Sequence, residues 1–168
     1  MLKAAISRKP SLKVADEVWI ATALLHRENH RRQSFEVHEI VDRAAKEHIA
    51  GELRPGVYVH AVQHCVANRP PNPGRYRLLY ETEDGERRLF RYPDAYHSAR
   101  EGGKTVPRME DIPAEYRDLL DWYASEYALK PGELEQADTI LGLLGLGKEI
   151  WAGEDPDEYV RRLREGWE

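Results

Sequence analysis

A change in the spacing of apolar residues, at the proline-rich segment 68–74, most constrains how this chain can fold. Before that segment, apolar side chains recur at intervals of three and four residues, as they do along one face of a helix. After it, the short aromatic segments 75–81 and 87–92 partly alternate, and Asp84-Gly85 lies between them. An Asp-Gly pair between two such segments is a strong hairpin signal. The sequence therefore predicts helices followed by a β-hairpin.

Three helices are predicted before the hairpin, over about Val14 to Glu28, about Phe35 to His48, and from near Pro55 to just before Asn68. Ser34 is expected to cap the second helix, because its hydroxyl can accept a hydrogen bond from a free N–H of the first turn. The apolar positions of the third helix are read as Tyr58, Ala61, Val62 and Cys65. An irregular segment over 93–112 and a further helix over 113–128 complete this part of the chain.

These elements predict a mainly α fold with a small β-hairpin (α+β). Three helices followed by a hairpin is the element order of a winged helix-turn-helix domain, which we expect over residues 14–127. A linker at 128–133 and an amphipathic, helical, partner-binding tail at 134–168 follow. The tail holds Trp151 and Trp167 among many leucines, more apolar surface than so short a segment can bury alone. It must pack on its own domain, on a second copy of the chain, or on a partner.

The charge of the chain is unevenly distributed. Residues 1–108 contain 19 Lys and Arg against 14 Asp and Glu, whereas residues 109–168 contain 6 against 16. A basic front part and an acidic rear part favour two different partners, and nucleic acid is the natural partner of the basic part. The alternative is a dipolar protein in which the basic part has no such role.

The basic and polar residues of the first part match the geometry of a winged helix on double-stranded DNA. In that fold the third helix enters the major groove and the hairpin touches the backbone or the minor groove. Arginines would contact phosphates, while histidine and amide side chains would reach base edges. The predicted DNA-binding residues are Arg54, His60, Gln63, His64, Asn68, Arg69, Arg75, Arg77, Arg87 and Arg88. The alternative is a winged helix that contacts protein, with the arginines as a solvated surface.

Catalytic and metal sites have weaker support in the sequence. His60 and His64 are four residues apart and could share one metal ion, but residue 61 is alanine, so the H-E-x-x-H motif is absent. No third ligand is evident, so neither a metal nor another cofactor is predicted. Cys65, the single cysteine, lies on the apolar side of the third helix and is expected to be buried and structural. We predict that the protein is not an enzyme.

The chain lacks the sequence features of a membrane or secreted protein. No apolar run approaches the roughly 20 residues that span a bilayer. The basic segment 1–13 has no apolar region of the kind found in secretory signals. We therefore expect a cytoplasmic protein with no membrane partner.

The tail segment 139–167 contains the pattern Gly147-Lys148-Glu149-Ile150-Trp151, an acidic linker, and Asp157-Glu158-Tyr159-Val160-Arg161-Arg162-Leu163-Arg164-Glu165-Gly166-Trp167. In this pattern it resembles the C-terminal segment of antitoxins that pair with PIN-domain toxins in VapBC-type modules. Residues 14–127 separately resemble winged-helix domains of unassigned function, through His64-Cys65-Val66-Ala67-Asn68-Arg69 and Tyr76-Arg77-Leu78-Leu79-Tyr80. Such antitoxins commonly carry smaller β-rich or ribbon-helix-helix DNA-binding domains, so the winged helix departs from the family pattern.

The resemblance implies that the tail lies in a hydrophobic groove of a PIN-domain toxin, which is a metal-dependent ribonuclease with a carboxylate cluster. The implied groove anchors are Leu141, Leu144, Leu146, Ile150, Trp151, Tyr159, Leu163 and Trp167. The implied contacts to the carboxylates are charge-assisted and come from Arg161, Arg162 or Arg164. The resemblance does not say which of these three arginines makes them.

These observations together predict an antitoxin of a type II toxin–antitoxin pair. Its tail would neutralise a PIN-domain ribonuclease, and its winged helix would bind operator DNA. One alternative is a winged-helix transcriptional regulator whose tail is a dimerisation arm, so that the chain forms a homodimer. Another is a metal-dependent nucleic-acid-processing enzyme that uses His60 and His64.

Overall fold

The computed structural model describes residues 12–128, so the tail predicted at 134–168, with all its anchors and arginines, lies outside the described residues. Within 12–128 the chain forms four helices and one antiparallel two-stranded sheet. The helices are α1 (Val14–Glu28), α2 (Val37–Glu47), α3 (Gly56–Val59) and α4 (Asp118–Trp122). The strands are β1 (Leu79–Glu81) and β2 (Arg87–Leu89). The prediction of a mainly helical chain with a small hairpin is confirmed.

Wider and tighter helical turns extend these helices. α3 continues as a π-helical turn, His60–His64, and α4 continues as another, Tyr123–Tyr127. The segment predicted to be irregular contains two single 3₁₀ turns, at Ser98–Arg100 and Met109–Asp111. A further 3₁₀ turn, Ala114–Tyr116, precedes α4, so the helix predicted over 113–128 exists but changes its winding along its length.

Helix α1 is the centre of the domain, and its predicted bounds agree with the structure. All ten residues from Ala15 to Leu24 are buried, as expected for a helix with other elements packed around it. Trp19 is fully buried and its ring meets that of Tyr123 edge to face at 5.8 Å. Two acids in the first turn, Asp16 and Glu17, are also buried. Their charges are compensated by basic residues from other parts of the fold, described below.

Helix α2 begins later than predicted, and the prediction that Ser34 caps it is wrong. Its N-cap is Glu36, which forms a capping box with Glu39. The reason is tertiary: Phe35 exchanges two backbone hydrogen bonds with Arg87 of β2, at 2.8 and 2.7 Å, and is therefore extended. Ser34 turns away from the helix and donates its hydroxyl hydrogen to Glu86.

The hairpin is shorter than predicted and is joined to the helical part along both of its strands. Leu79 of β1 faces Leu89 of β2, and both are fully buried. On the far side of β1, Val66 forms a parallel bridge with Leu79, and the Ala67 N–H donates to the Leu79 carbonyl at 2.7 Å. The end of α3 and the α1–α2 connection therefore flank the hairpin, which places α3 and the hairpin in a fixed relation.

A buried arginine closes this arrangement. Arg100 has no exposed surface, and its guanidinium donates to six backbone carbonyls at 2.6 to 3.4 Å, those of Gln63, His64, Arg69, Pro70, Gly74 and Tyr76. The group thus ties the C-terminal end of the α3 turn to the proline-rich segment. Gly103 follows closely, where a Cβ atom would lie 1.7 Å from the Arg75 carbonyl oxygen. Only glycine fits that close backbone approach.

Among residues 12–128, no helix has the length and apolar character needed to cross a membrane.

We predict that Arg100→Lys lowers the free energy of unfolding by at least about 3 kcal/mol. A lysine has three donors on one nitrogen, so several of the six carbonyls lose this partner, at about 1–3 kcal/mol for each one that is left unsatisfied. Urea unfolding followed by circular dichroism measures the change. Arg108→Lys is the matched control, because the Arg108 side chain is 63% exposed, and a change within about 0.5 kcal/mol is expected. Equal effects of the two substitutions would contradict the role given to Arg100.

Candidate nucleic-acid interface

Arg87, which is predicted to touch DNA from the hairpin, connects the hairpin to the turn that continues α3. Its side chain is buried, and its Nε donates to the Ala61 carbonyl at 3.0 Å while Nη2 donates to the Val62 carbonyl at 3.3 Å. Nη1 donates to the Gly85 carbonyl in the hairpin turn at 2.6 Å. Burial lowers the pKa of this guanidinium from its ordinary value. The geometry makes Arg87 a connector between two elements.

Glu81 gathers three of the predicted DNA-binding residues around the end of β1. Arg69 forms a two-pronged ion pair with its carboxylate, with Nη2 donating at 2.6 Å, and Arg87 Nη1 lies 3.1 Å from Oε1. The Asn68 side chain exchanges two hydrogen bonds of 2.9 Å with the Glu81 backbone. The hydrogen bond from Arg69 holds the pKa of the Glu81 carboxyl below its ordinary value. Asn68 and Arg69 therefore face the hairpin.

Arg77 and Arg88 contact the segment that follows the hairpin. Arg88 forms a two-pronged ion pair with Asp94 at 2.7 and 2.6 Å, and its guanidinium lies 4.4 Å from the centre of the Tyr80 ring. Arg77 donates from Nε to the Gly103 carbonyl at 3.1 Å and lies over the Tyr96 ring at 4.3 Å. Both guanidinium groups thus have partners within the chain.

Arg54, just before α3, compensates a buried acid of α1. Its Nε donates to Glu17 Oε2 at 2.8 Å, and its Nη1 donates to the Leu12 carbonyl at 2.8 Å. The other buried acid, Asp16, accepts a hydrogen bond from Lys104 Nζ. Burial raises the pKa of the Asp16 carboxyl despite this lysine. The two basic residues therefore serve the interior of the fold.

The residues predicted to read bases lie on the turn that extends α3. His60 and His64 are half-buried, and their ring centres are 4.7 Å apart with the planes at 74°. His60 Nδ1 lies 2.8 Å from the Gly56 carbonyl oxygen, and Gln63 donates from Nε2 to the Pro70 carbonyl at 2.7 Å. Burial, followed by the charges of His60 and Arg100, lowers the pKa of His64. Within residues 12–128, His60 Nε2 and the ring nitrogens of His64 make no hydrogen bond, so these two histidines keep atoms able to contact a base.

Arg75 is the exception among the six predicted arginines. Its side chain is exposed and forms no ion pair or hydrogen bond within residues 12–128. It lies in the connection between the α3 turn and the hairpin, beside both elements of the candidate interface. Within residues 12–128, five of the six predicted arginines are thus engaged in contacts inside the fold, and Arg75 is not.

An apolar surface at the beginning of α3 was not predicted from the sequence. Tyr58 is 59% exposed, Val59 44% and Leu53 41%, although Tyr58 was expected on the buried side of this helix. The buried side is formed by Val57, Ala61 and Cys65, all fully buried. Their spacing of four residues is visible in the sequence and was the signal that could have identified the inward face. Cys65 is buried as predicted, and burial holds the pKa of its thiol far above the ordinary value.

Comparisons of this chain with protein-family models, with curated proteins and with solved structures find no match.

We predict that Glu81→Gln lowers the free energy of unfolding by about 1.5–3 kcal/mol at pH 7, the range for hydrogen bonds to charged groups. Because the pKa of Glu81 is lowered in the folded state, its stabilising contribution is present above the unfolded-state pKa. It is lost as the pH falls through the folded-state pKa. The difference from the unsubstituted chain should therefore shrink below pH 4.5, the ordinary value for this group. Urea unfolding at a series of pH values measures this.

The control is Glu83→Gln in the exposed hairpin turn, which should change stability little at any pH. A Glu81→Gln effect that is constant from pH 7 to pH 3 would rule out the charge of Glu81 as its cause.

Proposed function

We propose that this protein is an antitoxin of a type II toxin–antitoxin pair. In this proposal the tail at 134–168 binds and silences a PIN-domain ribonuclease, and the domain at 14–127 is a winged helix that binds operator DNA. The tail resemblance supports the first part. The second part is supported by the order of three helices and a hairpin, and by the way in which the hairpin is attached to α3.

The attachment of the hairpin to α3 is the observation that best supports the DNA-binding part of the proposal. A winged helix uses its third helix and its hairpin together, so the two must keep a fixed spacing on the duplex. Arg87 of β2 bonds to the carbonyls of Ala61 and Val62, and the backbone of β1 bonds to Cys65 and Ala67. Side-chain and backbone contacts thus hold the two elements as one unit, without a ligand.

The internal contacts narrow the set of residues available to DNA. A phosphate could reach Arg54, Arg69, Arg87 or Arg88 only by replacing an internal partner of that side chain, at the cost of leaving a carboxylate or a carbonyl unpaired. A phosphate that binds Arg75 replaces no hydrogen bond or ion pair within residues 12–128, so this free-energy cost does not arise there. We therefore assign the principal phosphate contact to Arg75, with His60 and His64 as the side chains nearest to base edges.

A second candidate function, protein contact through the same helix, is favoured by one specific observation. Leu53, Tyr58 and Val59 are all substantially exposed at the beginning of α3, where a DNA-binding helix would be expected to be polar or basic. Aromatic and aliphatic side chains of this kind are typical of the central part of a protein interface. In this alternative the domain holds a protein partner and does not bind the operator.

We predict that the full chain binds the duplex upstream of its own gene with an affinity that falls steeply with salt, because phosphate contacts release counterions. Arg75→Ala should weaken binding to specific and unrelated duplexes alike and reduce the salt slope by about 1. Fluorescence anisotropy at several salt concentrations measures both quantities. Arg117→Ala is the matched control, since this exposed arginine precedes α4 and lies outside α3 and the hairpin. Absence of binding to any duplex would favour protein contact.

We predict that the full chain forms a complex with the protein encoded by the adjacent open reading frame and that a chain ending at Lys130 does not. Trp151→Ala together with Trp167→Ala should weaken the complex by at least about tenfold, because aromatic anchors concentrate interface energy. Co-purification and the ribonuclease activity of the partner are the measurements. Tyr92→Ala, which removes an aromatic ring that is 87% exposed in the domain, should leave the complex intact.

Truncation at Lys130 also tests the alternative in which the tail is a dimerisation arm. If the chain ending at Lys130 loses self-association, and no neighbouring protein binds to the full chain, the tail is a dimerisation arm and the antitoxin proposal fails.

A further inference from the structure

The π-helical turn His60–His64 holds two imidazoles in contact at its two ends. Turns of this winding are rare, and they occur frequently at functional sites because the extra residue per turn changes the direction of side chains. Both rings are half-buried, so each keeps some access to solvent. The two imidazole side chains take no part in the contacts that attach the hairpin to α3.

The first ring has a defined tautomer. His60 Nδ1 lies 2.8 Å from the Gly56 carbonyl oxygen, and a carbonyl oxygen can only accept a hydrogen bond. In the neutral imidazole the proton is therefore on Nδ1, which leaves the lone pair on Nε2. Metal-binding histidines commonly use this arrangement, in which a backbone carbonyl orients the ring and makes the other nitrogen more basic.

The second ring is held in position through its backbone. Arg100 donates to the His64 carbonyl at 2.8 Å and to the Gln63 carbonyl at 2.9 Å, so the end of the turn is fixed from inside the fold. The neutral imidazole is the form that binds metal. The positive charge of Arg100 also opposes a cation, so the expected affinity is below that of a structural zinc site.

We propose that His60 and His64 form a two-imidazole site for a divalent transition-metal ion that prefers nitrogen ligands. Imidazole suits zinc, copper and nickel, whereas magnesium and calcium require oxygen ligands. Residues 12–128 contain no group of three or more side chains able to hold a metal ion. The site therefore supplies two ligands and leaves the remaining positions to water or to a group from a bound partner.

The test is a calorimetric titration of Zn²⁺ into the full chain, free of any affinity tag, at pH 7.5. We expect saturable binding of one ion that is weakened at least about tenfold by His60→Ala and by His64→Ala. No binding is expected with Mg²⁺. His38→Ala is the matched control, because His38 is an exposed histidine on α2 and its loss should leave Zn²⁺ affinity unchanged. Equal losses for His38→Ala and His60→Ala would overturn the proposal.

A second measurement does not depend on the variants being folded. Nuclear magnetic resonance of the imidazole nitrogens in the unsubstituted chain should show Zn²⁺ shifting the signals of His60 and His64 ahead of those of the other five histidines. If Zn²⁺ shifts the exposed histidines first, or shifts none, the pair is only a packing contact. Neither measurement uses DNA or a toxin, so the result is separate from that of the proposed function.

Discussion

The rest of the structure depends on a single buried cation. Within residues 12–128, the Arg100 guanidinium has no carboxylate among its hydrogen-bond partners and donates to six carbonyl oxygens. Two of these belong to the end of the α3 turn, where helix carbonyls lack partners and the helix dipole is negative, so a cation is favoured there. The other four belong to the proline-rich segment and the residues just after it. One side chain thus defines the end of α3, the path of the following loop and the position at which the hairpin begins.

Other arginines of the domain also bind groups within the fold. A count of charged residues therefore does not show which charges are available at the surface. Arg54 neutralises the buried Glu17, Arg69 binds Glu81, and Arg88 binds Asp94. Each of these guanidinium groups satisfies a carboxylate that would otherwise be costly to bury or half-bury. Three of the basic residues counted over 1–108 are therefore paired with carboxylates of the same fold, and such pairing leaves the net basic excess unchanged. The surface at the beginning of α3 is formed in part by the exposed side chains of Leu53, Tyr58 and Val59. These apolar side chains are why we propose protein contact as the alternative to operator binding.

Local sequence signals succeeded where the structure depends on local physics. The bounds of α1 follow from an apolar spacing that no other contact opposes, and the hairpin follows from Asp84-Gly85, since Gly85 adopts a φ of +80° that few other residues accept. They failed where a distant partner decides. Ser34 was expected to cap α2, but the pairing of Phe35 with Arg87 keeps that stretch extended. In the candidate interface, the sequence could not tell an exposed arginine, Arg75, from arginines that are engaged in contacts within the fold.

The sequence by itself determined the helical class of the described part, the order of its helices and hairpin, and the burial of Cys65. These depend on periodicity and turn chemistry, which act between residues close in the chain. Only the tertiary structure decided that Arg87 and Arg100 point inwards, that Tyr58 faces out, and that His60 and His64 meet on a π-helical turn. The reason is that a charged side chain goes wherever distant carbonyls and carboxylates can satisfy it, and those partners come together only when the chain has folded.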